Sequence, residues 1–247
     1  HKDPTILIGG ELSQIGGNYH IGGNEYLPFE ACEYVESFLH FKPFVSIITN
    51  IEEDHLDYFK DLNHIITSFV KFASLTSDNG CNIVCIDENT TQSIVQNVKK
   101  KAVTYALNNK NADYTAENIT LEKNGCPTFD IFNKDRKVLS VSLNVAGDHN
   151  ICNALGVTAA CEFLGIEPEY IKSGLEEFRG AKRRFDRLGK TETGVGVVDD
   201  YAHHPTEIKT TLETAKKMGY NNVWVAFQPH TYTRTAAFLE QFASALK

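Results

Sequence analysis

The feature that most constrains this chain is its alternation of short β-branched runs with longer segments of helical spacing. Phe44–Thr49 (FVSIIT) reads as a strand, and Asn63–Ser74 as a helix with apolar residues at Ile65, Ile66, Phe69, Val70 and Phe72. Asn82–Ile86 is a further strand, Thr91–Lys100 a further helix and Ala102–Tyr105 a third strand. Parallel strands need a long crossover between them, usually a helix, so this order predicts a parallel sheet covered by helices. Upstream, Thr5–Asn24 is rich in glycine pairs and reads as loops around short strands, and Tyr26–Cys32 as a buried strand with Glu30 near its end. The rhythm changes over Ala116–Val145, where a hairpin turning at Asn124–Gly125 precedes a strand at Val138–Leu143. Helix returns over His149–Leu164, with Asp148 as its cap, and again over Pro168–Phe178. After the basic cluster Lys182–Arg184 a fresh βαβα order begins, with strands at Val195–Asp199 and Val223–Phe227 and helices at Thr206–Met218 and Ala236–Leu246. The expected fold class is therefore α/β, mainly parallel with a small antiparallel part. The boundary near Arg179–Arg183 divides it into units 1–182 and 183–247. Two strands alone would leave an exposed sheet edge in the second unit, so that unit reads as incomplete.

Composition removes several classes of function. A net charge of −8 over 247 residues argues against a nucleic-acid surface, which needs clustered Lys and Arg, but leaves room for a nucleotide site. Apolar runs such as Val45–Thr49 and Val223–Phe227 are too short to cross a bilayer, and His1–Gly10 lacks the pattern of a secretory signal. The six cysteines form no CxxC pair, so they are expected to be reduced packing residues of a cytoplasmic protein rather than zinc ligands.

In a parallel sheet, ligands bind where strands end and helices begin, and three such junctions here are loaded with polar groups. The first is Asn50–His55 (NIEEDH). Its carboxylates and imidazole, with Glu30, suit a divalent cation bridging phosphates, although Glu and Asp also favour the first turn of any helix. The second is Asp199–Pro205 (DDYAHHP), a polar loop before a helix that Pro205 can open. The third is Gln228–Arg234 (QPHTYTR), where the planar fork of Arg234 could hold a carboxylate or phosphate, or simply face solvent. Asn150 and Asn153 share a helix face and could both bond a base edge, or merely begin the helix. Arg183 and Arg184 could neutralise phosphate, or form a solvated patch. Gly189–Lys190–Thr191 imitates a phosphate loop, but Arg184 stands where its leading glycine must be.

Together the stretches IGGELSQIGGN, FEACEY, TNIEEDHLDYF, GDHNICNALGV, GAKRRFD, DDYAHHPTEI and FQPHTYTRT resemble the Mur ligase family. They run in family order from near residue 6 to about residue 235. The resemblance implies the later part of a central ATP-binding domain, then the start of a C-terminal Rossmann-like domain. The family's UDP-binding domain, its phosphate loop and the end of the C-terminal domain are missing from the match, so this chain alone is expected to be inactive. The implied activity is ATP-dependent joining of L-alanine to UDP-N-acetylmuramate in peptidoglycan synthesis. The family's tripeptide-adding members, which share DDxAHHP, are the alternative. By resemblance, Glu30 and His55 ligate Mg²⁺ and Asn50 lies near the phosphates. His149, Asn150 and Asn153 face adenine, Arg184 reaches the ATP phosphates and Asp200 faces the ribose. Tyr201, His203, His230 and Arg234 receive the amino acid, Arg234 by its carboxylate. Cys32 departs from an Asp of many relatives and Thr231 from an Arg of some. The carbamylated lysine of several sister ligases has no clear match here, Lys71 being a weak candidate. Two rivals of other classes stay open: a metal-dependent hydrolase using His55, His203 and His204, and a non-catalytic piece. Oligomeric state is not legible in the sequence.

Overall fold

The structure, a computed structural model, describes residues 2–247. β1 (Ile6–Leu12) and β2 (Gly17–His20) pair antiparallel across a short 3-10 turn at Ser13–Ile15. Residues 26–32 run beside β1, held by Leu7 N–H to Pro28 O and Glu30 N–H to Leu7 O, but form only an isolated bridge between Leu7 and Phe29. The buried strand expected there is thus an extended and largely exposed segment. Pro28 has no N–H to give a ladder, and Leu27 is 59% exposed.

The central sheet is built from β3 (Val45–Ile48), β4 (Cys81–Cys85), β5 (Ala102–Tyr105), β6 (Tyr114–Leu121), β7 (Pro127–Asn133) and β8 (Arg136–Ser142), adjacent in that order. β3 to β6 are parallel, and β6 to β8 antiparallel, as the change of rhythm predicted. The crossovers are α1 (Leu62–Ser74) and α2 (Asn89–Asn97), and α3 (Asp148–Phe163) and α4 (Pro168–Glu177) follow the hairpins. β4 shows why the stack holds. Its Cys81, Ile83 and Cys85 pack with Ile151 and Leu155 of α3, whereas Val84, between them, packs with Ile65 of α1 and Ile94 of α2. A strand buried on both faces must be apolar throughout, and β4 nearly is. Gly156 lets α3 lie on β5, because a Cβ there would stand 2.9 Å from the Tyr105 ring.

Asp148 does not cap α3. Gly147, at φ 99°, is the N-cap, and the Asp148 carboxylate instead pairs with Lys217 at 2.5 Å. Beyond residue 182, β9 (Asp186–Lys190) and β10 (Gly196–Asp199) form an antiparallel pair, followed by α5 (Pro205–Lys217), α6 (Tyr232–Ala237) and α7 (Leu239–Ala245). Ile208, Phe238 and Phe242 make a small core of their own. The strand expected at Val223–Phe227 is not formed. A strand exists by pairing, β10 has β9 as its partner, and Trp224 is 92% exposed. The helix expected over Ala236–Leu246 is broken at Phe238, which divides α6 from α7. Among the described residues, no helix is long and apolar enough to cross a membrane.

Candidate active site

The loop leaving β3 carries three consecutive acids, and residues from beyond position 200 meet each of them. Glu52 Oε2 accepts the Thr206 hydroxyl at 2.5 Å, while Asn50 donates to its other oxygen at 2.9 Å. The carbonyl of Glu53 faces His204 Nε2 at 3.1 Å. Asp54 Oδ1 accepts both Nε and Nη2 of Arg234, at 3.1 and 2.8 Å, and the His55 amide at 2.7 Å. Arg234 is nearly buried in this contact, its side chain 11% exposed. Burial by itself would raise the Asp54 carboxyl. The Arg234 hydrogen bonds, the His55 amide and the two neighbouring charges outweigh it and hold Asp54 below the ordinary aspartate value.

His55 sits at φ 52°, an uncommon backbone for a residue with a Cβ. Its Nε2 lies 3.3 Å from Glu33 Oε1, and its ring packs on Tyr34 at 4.7 Å. Glu30 is elsewhere engaged, accepting the Gly9 amide at 2.8 Å, and no ion pair joins it to His55. Glu33 was missed because it lies just past the segment read as a strand, where only Glu30 was weighed as a ligand; it stands at the start of the 3-10 segment Tyr34–His40.

A second focus is a pocket of about 200 Å³ lined by Asn144, Asn150, Arg179, Arg184 and Arg187. Asn150 Nδ2 donates to Ala146 O at 2.8 Å and meets His149 Nε2 at 3.1 Å, while Asn153 reaches Asn150 Oδ1 at 3.5 Å. The three residues expected to act together therefore form one hydrogen-bonded chain. Arg179 and Arg187 were not singled out; their only signal was that the basic cluster extends three residues to either side. Arg184 is held by Glu207 Oε1 at 3.1 Å. The other Glu207 oxygen accepts the amides of His203 and His204 at 2.8 and 3.2 Å, completing the cap of α5. Burial pushes the Glu207 carboxyl up, but those amides and the His203 and Arg184 charges hold it below its ordinary value. Asp200 accepts from the Phe185 and Ala202 amides and the Thr211 hydroxyl, which fixes the loop between β10 and α5.

The third group is aromatic. The Tyr201 and His203 rings are 5.0 Å apart, His203 and His230 are 6.2 Å apart, and the Arg183 guanidinium covers Tyr201 at 4.6 Å. His203 Nδ1 bonds the Tyr201 carbonyl, whereas His204 turns to Glu53, so His55, His203 and His204 share no common focus. The geometry a histidine-based metallohydrolase needs is absent from these residues. Among the described residues, three groups able to hold a metal do converge at Cys85, Asp87 and Cys152. The expectation that the cysteines only pack did not foresee this.

Residues 22–161 match the Mur ligase middle domain, and residues 183–247 the glutamate ligase domain of Mur ligases. A UDP-N-acetylmuramate–L-alanine ligase of Acetivibrio thermocellus is 50% identical over 99% of this chain and 52% of its own length. One of Clostridium perfringens is 47% identical over 97% of this chain, again 52% of its own length. The crystal structure of the UDP-N-acetylmuramate–alanine ligase of Thermotoga maritima superimposes with a TM-score of 0.81 at 32% identity, covering 100% of this chain and 53% of that one. The chain thus spans about half the length of the relatives it matches.

Proposed function

The chain belongs to the Mur ligase family, and on that premise we propose that it carries the nucleotide-binding and amino-acid-receiving parts of an enzyme joining L-alanine to UDP-N-acetylmuramate. On this reading residues 1–182 belong to the central ATP-binding domain and residues 183–247 to the C-terminal domain. The reaction belongs to cytoplasmic peptidoglycan synthesis, where ATP is available. The observation that carries the proposal is the meeting of Glu52, Glu53 and Asp54 with Thr206, His204 and Arg234, because it joins the two candidate halves of one cleft.

ATP phosphorylates the muramoyl carboxylate, the amine of alanine attacks the acyl phosphate, and phosphate leaves through a tetrahedral intermediate. Such chemistry asks for positioning and charge neutralisation rather than a nucleophilic side chain. Asn150, with His149 and Asn153, offers donors and acceptors to the adenine edge, and Asp200 has acceptor capacity left for a ribose hydroxyl. Arg184 beside them meets the phosphates, with Asn50 at the opposite junction. Tyr201, His203 and His230 flank the incoming amino acid, and Arg234 takes its carboxylate on leaving Asp54. The residues present fit Mg²⁺. His55 Nε2 and Glu33 Oε1 are 3.3 Å apart, close to the ~3 Å between adjacent ligands of an octahedral Mg²⁺, which usually takes few protein ligands and completes its shell with phosphate and water. His55 would hold the ion with Glu33, or with Glu30 after release from Gly9, and the ion would neutralise charge between phosphates.

Phosphate release by the full-length protein, measured with ATP, UDP-N-acetylmuramate and in turn alanine, glycine, serine and the murein tripeptide, tests the proposal. Alanine is expected to give the highest kcat/KM. Turnover with the tripeptide alone would overturn the substrate, and no amino-acid-dependent release would overturn the ligase.

A further inference from the structure

Two thiols that the proposed reaction does not use lie against one another. Cys85 ends β4, Cys152 lies in the first turns of α3, and their sulfurs are 3.5 Å apart. Both are free cysteines. Each sulfur is 3.9 Å from Asp87 Oδ2. That carboxylate is committed to the loop after β5, since it accepts the amides of Leu107, Asn108 and Asn109 at 2.8, 2.8 and 3.0 Å. Two sulfurs without it are only half of a tetrahedral zinc set. What remains is a dithiol whose halves are fixed on different elements and touch with nothing between them.

We propose that Cys85 and Cys152 form a redox-active pair that closes to a reversible disulfide when a peroxide reaches the start of α3. The sulfur of Cys85 attacks one peroxide oxygen, the O–O bond breaks, and Cys85 becomes a sulfenic acid as the first water leaves. The sulfur of Cys152 then attacks the sulfenic sulfur, the S–S bond forms, and the hydroxyl leaves as the second water. Two electrons and two protons pass from the thiols to the peroxide, and a dithiol reductant reverses the step by exchange. The sulfurs need only close from 3.5 Å to about 2 Å, a movement of rotamer size. Their hydrogen bond holds the Cys85 thiol below the ordinary cysteine value, while the same bond and burial push Cys152 up. Cys85 is 4% exposed, so the oxidant enters beside the partly exposed Cys152. Cys152 stands between Asn150 and Asn153, so an effect of the bond on nucleotide affinity rests on the functional reading above; its formation does not.

The test exposes the 247-residue chain to hydrogen peroxide, alkylates the remaining thiols and maps peptides without reductant. The expected product joins the Cys85 and Cys152 peptides with loss of two hydrogens, disappears on dithiothreitol treatment, and is absent from Cys152→Ser. Because serine could disturb the packing, wild-type chain unfolded in urea before oxidation serves as a second comparison and is expected to lose the preference for this pairing. The proposal is overturned if both thiols alkylate at a peroxide concentration that oxidises the exposed Cys32. It is equally overturned if Cys85 goes on to a sulfinic acid in the wild type, or if chelator-free protein holds zinc on this pair. If the bond forms and binding of a non-hydrolysable ATP analogue is unchanged, the assignment of Asn150 and Asn153 fails and the pair stands.

Discussion

Asn82 is the clearest case of a single residue committing the fold. It is 1% exposed at the centre of the sheet, where water cannot satisfy an amide. Its Oδ1 accepts the hydroxyls of Ser46 on β3 and Thr76 after α1, at 2.6 and 2.8 Å, and its Nδ2 donates to the Ala73 carbonyl at 3.2 Å. Strand, neighbouring strand and helix end are thereby locked in one register. Leucine would fill a similar volume yet leave the two buried hydroxyls without partners, each costing about 1–3 kcal/mol, while the Ala73 carbonyl would keep the Thr76 amide. Asn82→Leu is expected to lower the unfolding free energy by roughly 3 kcal/mol or more, read from urea denaturation. A loss below about 1 kcal/mol would mean that the hydroxyls find other partners.

At the scale of elements, the start of α5 links stability to the candidate site through Glu207. One oxygen caps the helix by accepting the His203 and His204 amides, and the other holds Arg184. Glu207→Ala is expected to cost about 1–2 kcal/mol, in the range of lost helix caps. Hydrogen exchange at the amides of His203 and His204 would then speed up. Glu207→Gln retains an acceptor for the amides and gives up the charge that positions Arg184, so it is expected to keep most of the protection while weakening ATP-analogue binding. Equal exchange in both variants would show that the charge, not the cap, holds the turn. The same elements show what a sequence can and cannot say. β4 was legible because burial on both faces leaves an apolar run, β3 and β5 because short β-branched runs alternate with segments of helical spacing, and α5 because Pro205 marks its first turn. Val223–Phe227 has equal strand character but no partner strand, and residues 26–32 lose their ladder at Pro28. Pairing is not encoded in the strand that needs it. For the same reason, three junctions of the candidate site could be found from residue types, whereas the pairing of His55 with Glu33 and of Arg234 with Asp54 could not.

Across the whole molecule, a largely buried ion pair that joins the two halves also occupies the proposed amino-acid arginine. Asp54 releases its proton at lower pH when folded than when unfolded, so in acid the unfolded chain binds the extra proton. The contribution is complete at pH values above the ordinary aspartate range, about 4, and is lost as the pH falls through the lower folded value. Asp54→Asn is therefore expected to destabilise the chain at neutral pH by about 1–3 kcal/mol, since it leaves the Arg234 charge without its partner. The gap to wild type should narrow below about pH 4. A gap that stays constant down to pH 3 would show that the ion pair contributes nothing to holding the halves together. Stability and catalysis are expected to part at this residue. If Arg234 takes the substrate carboxylate, Asp54 competes with it, and removing the competitor lowers the KM for alanine in the full-length protein despite the lost stability. If Arg234 is a clasp and nothing more, the same substitution loosens the cleft and raises that KM, so the direction of one kinetic constant separates a substrate-binding arginine from a structural one.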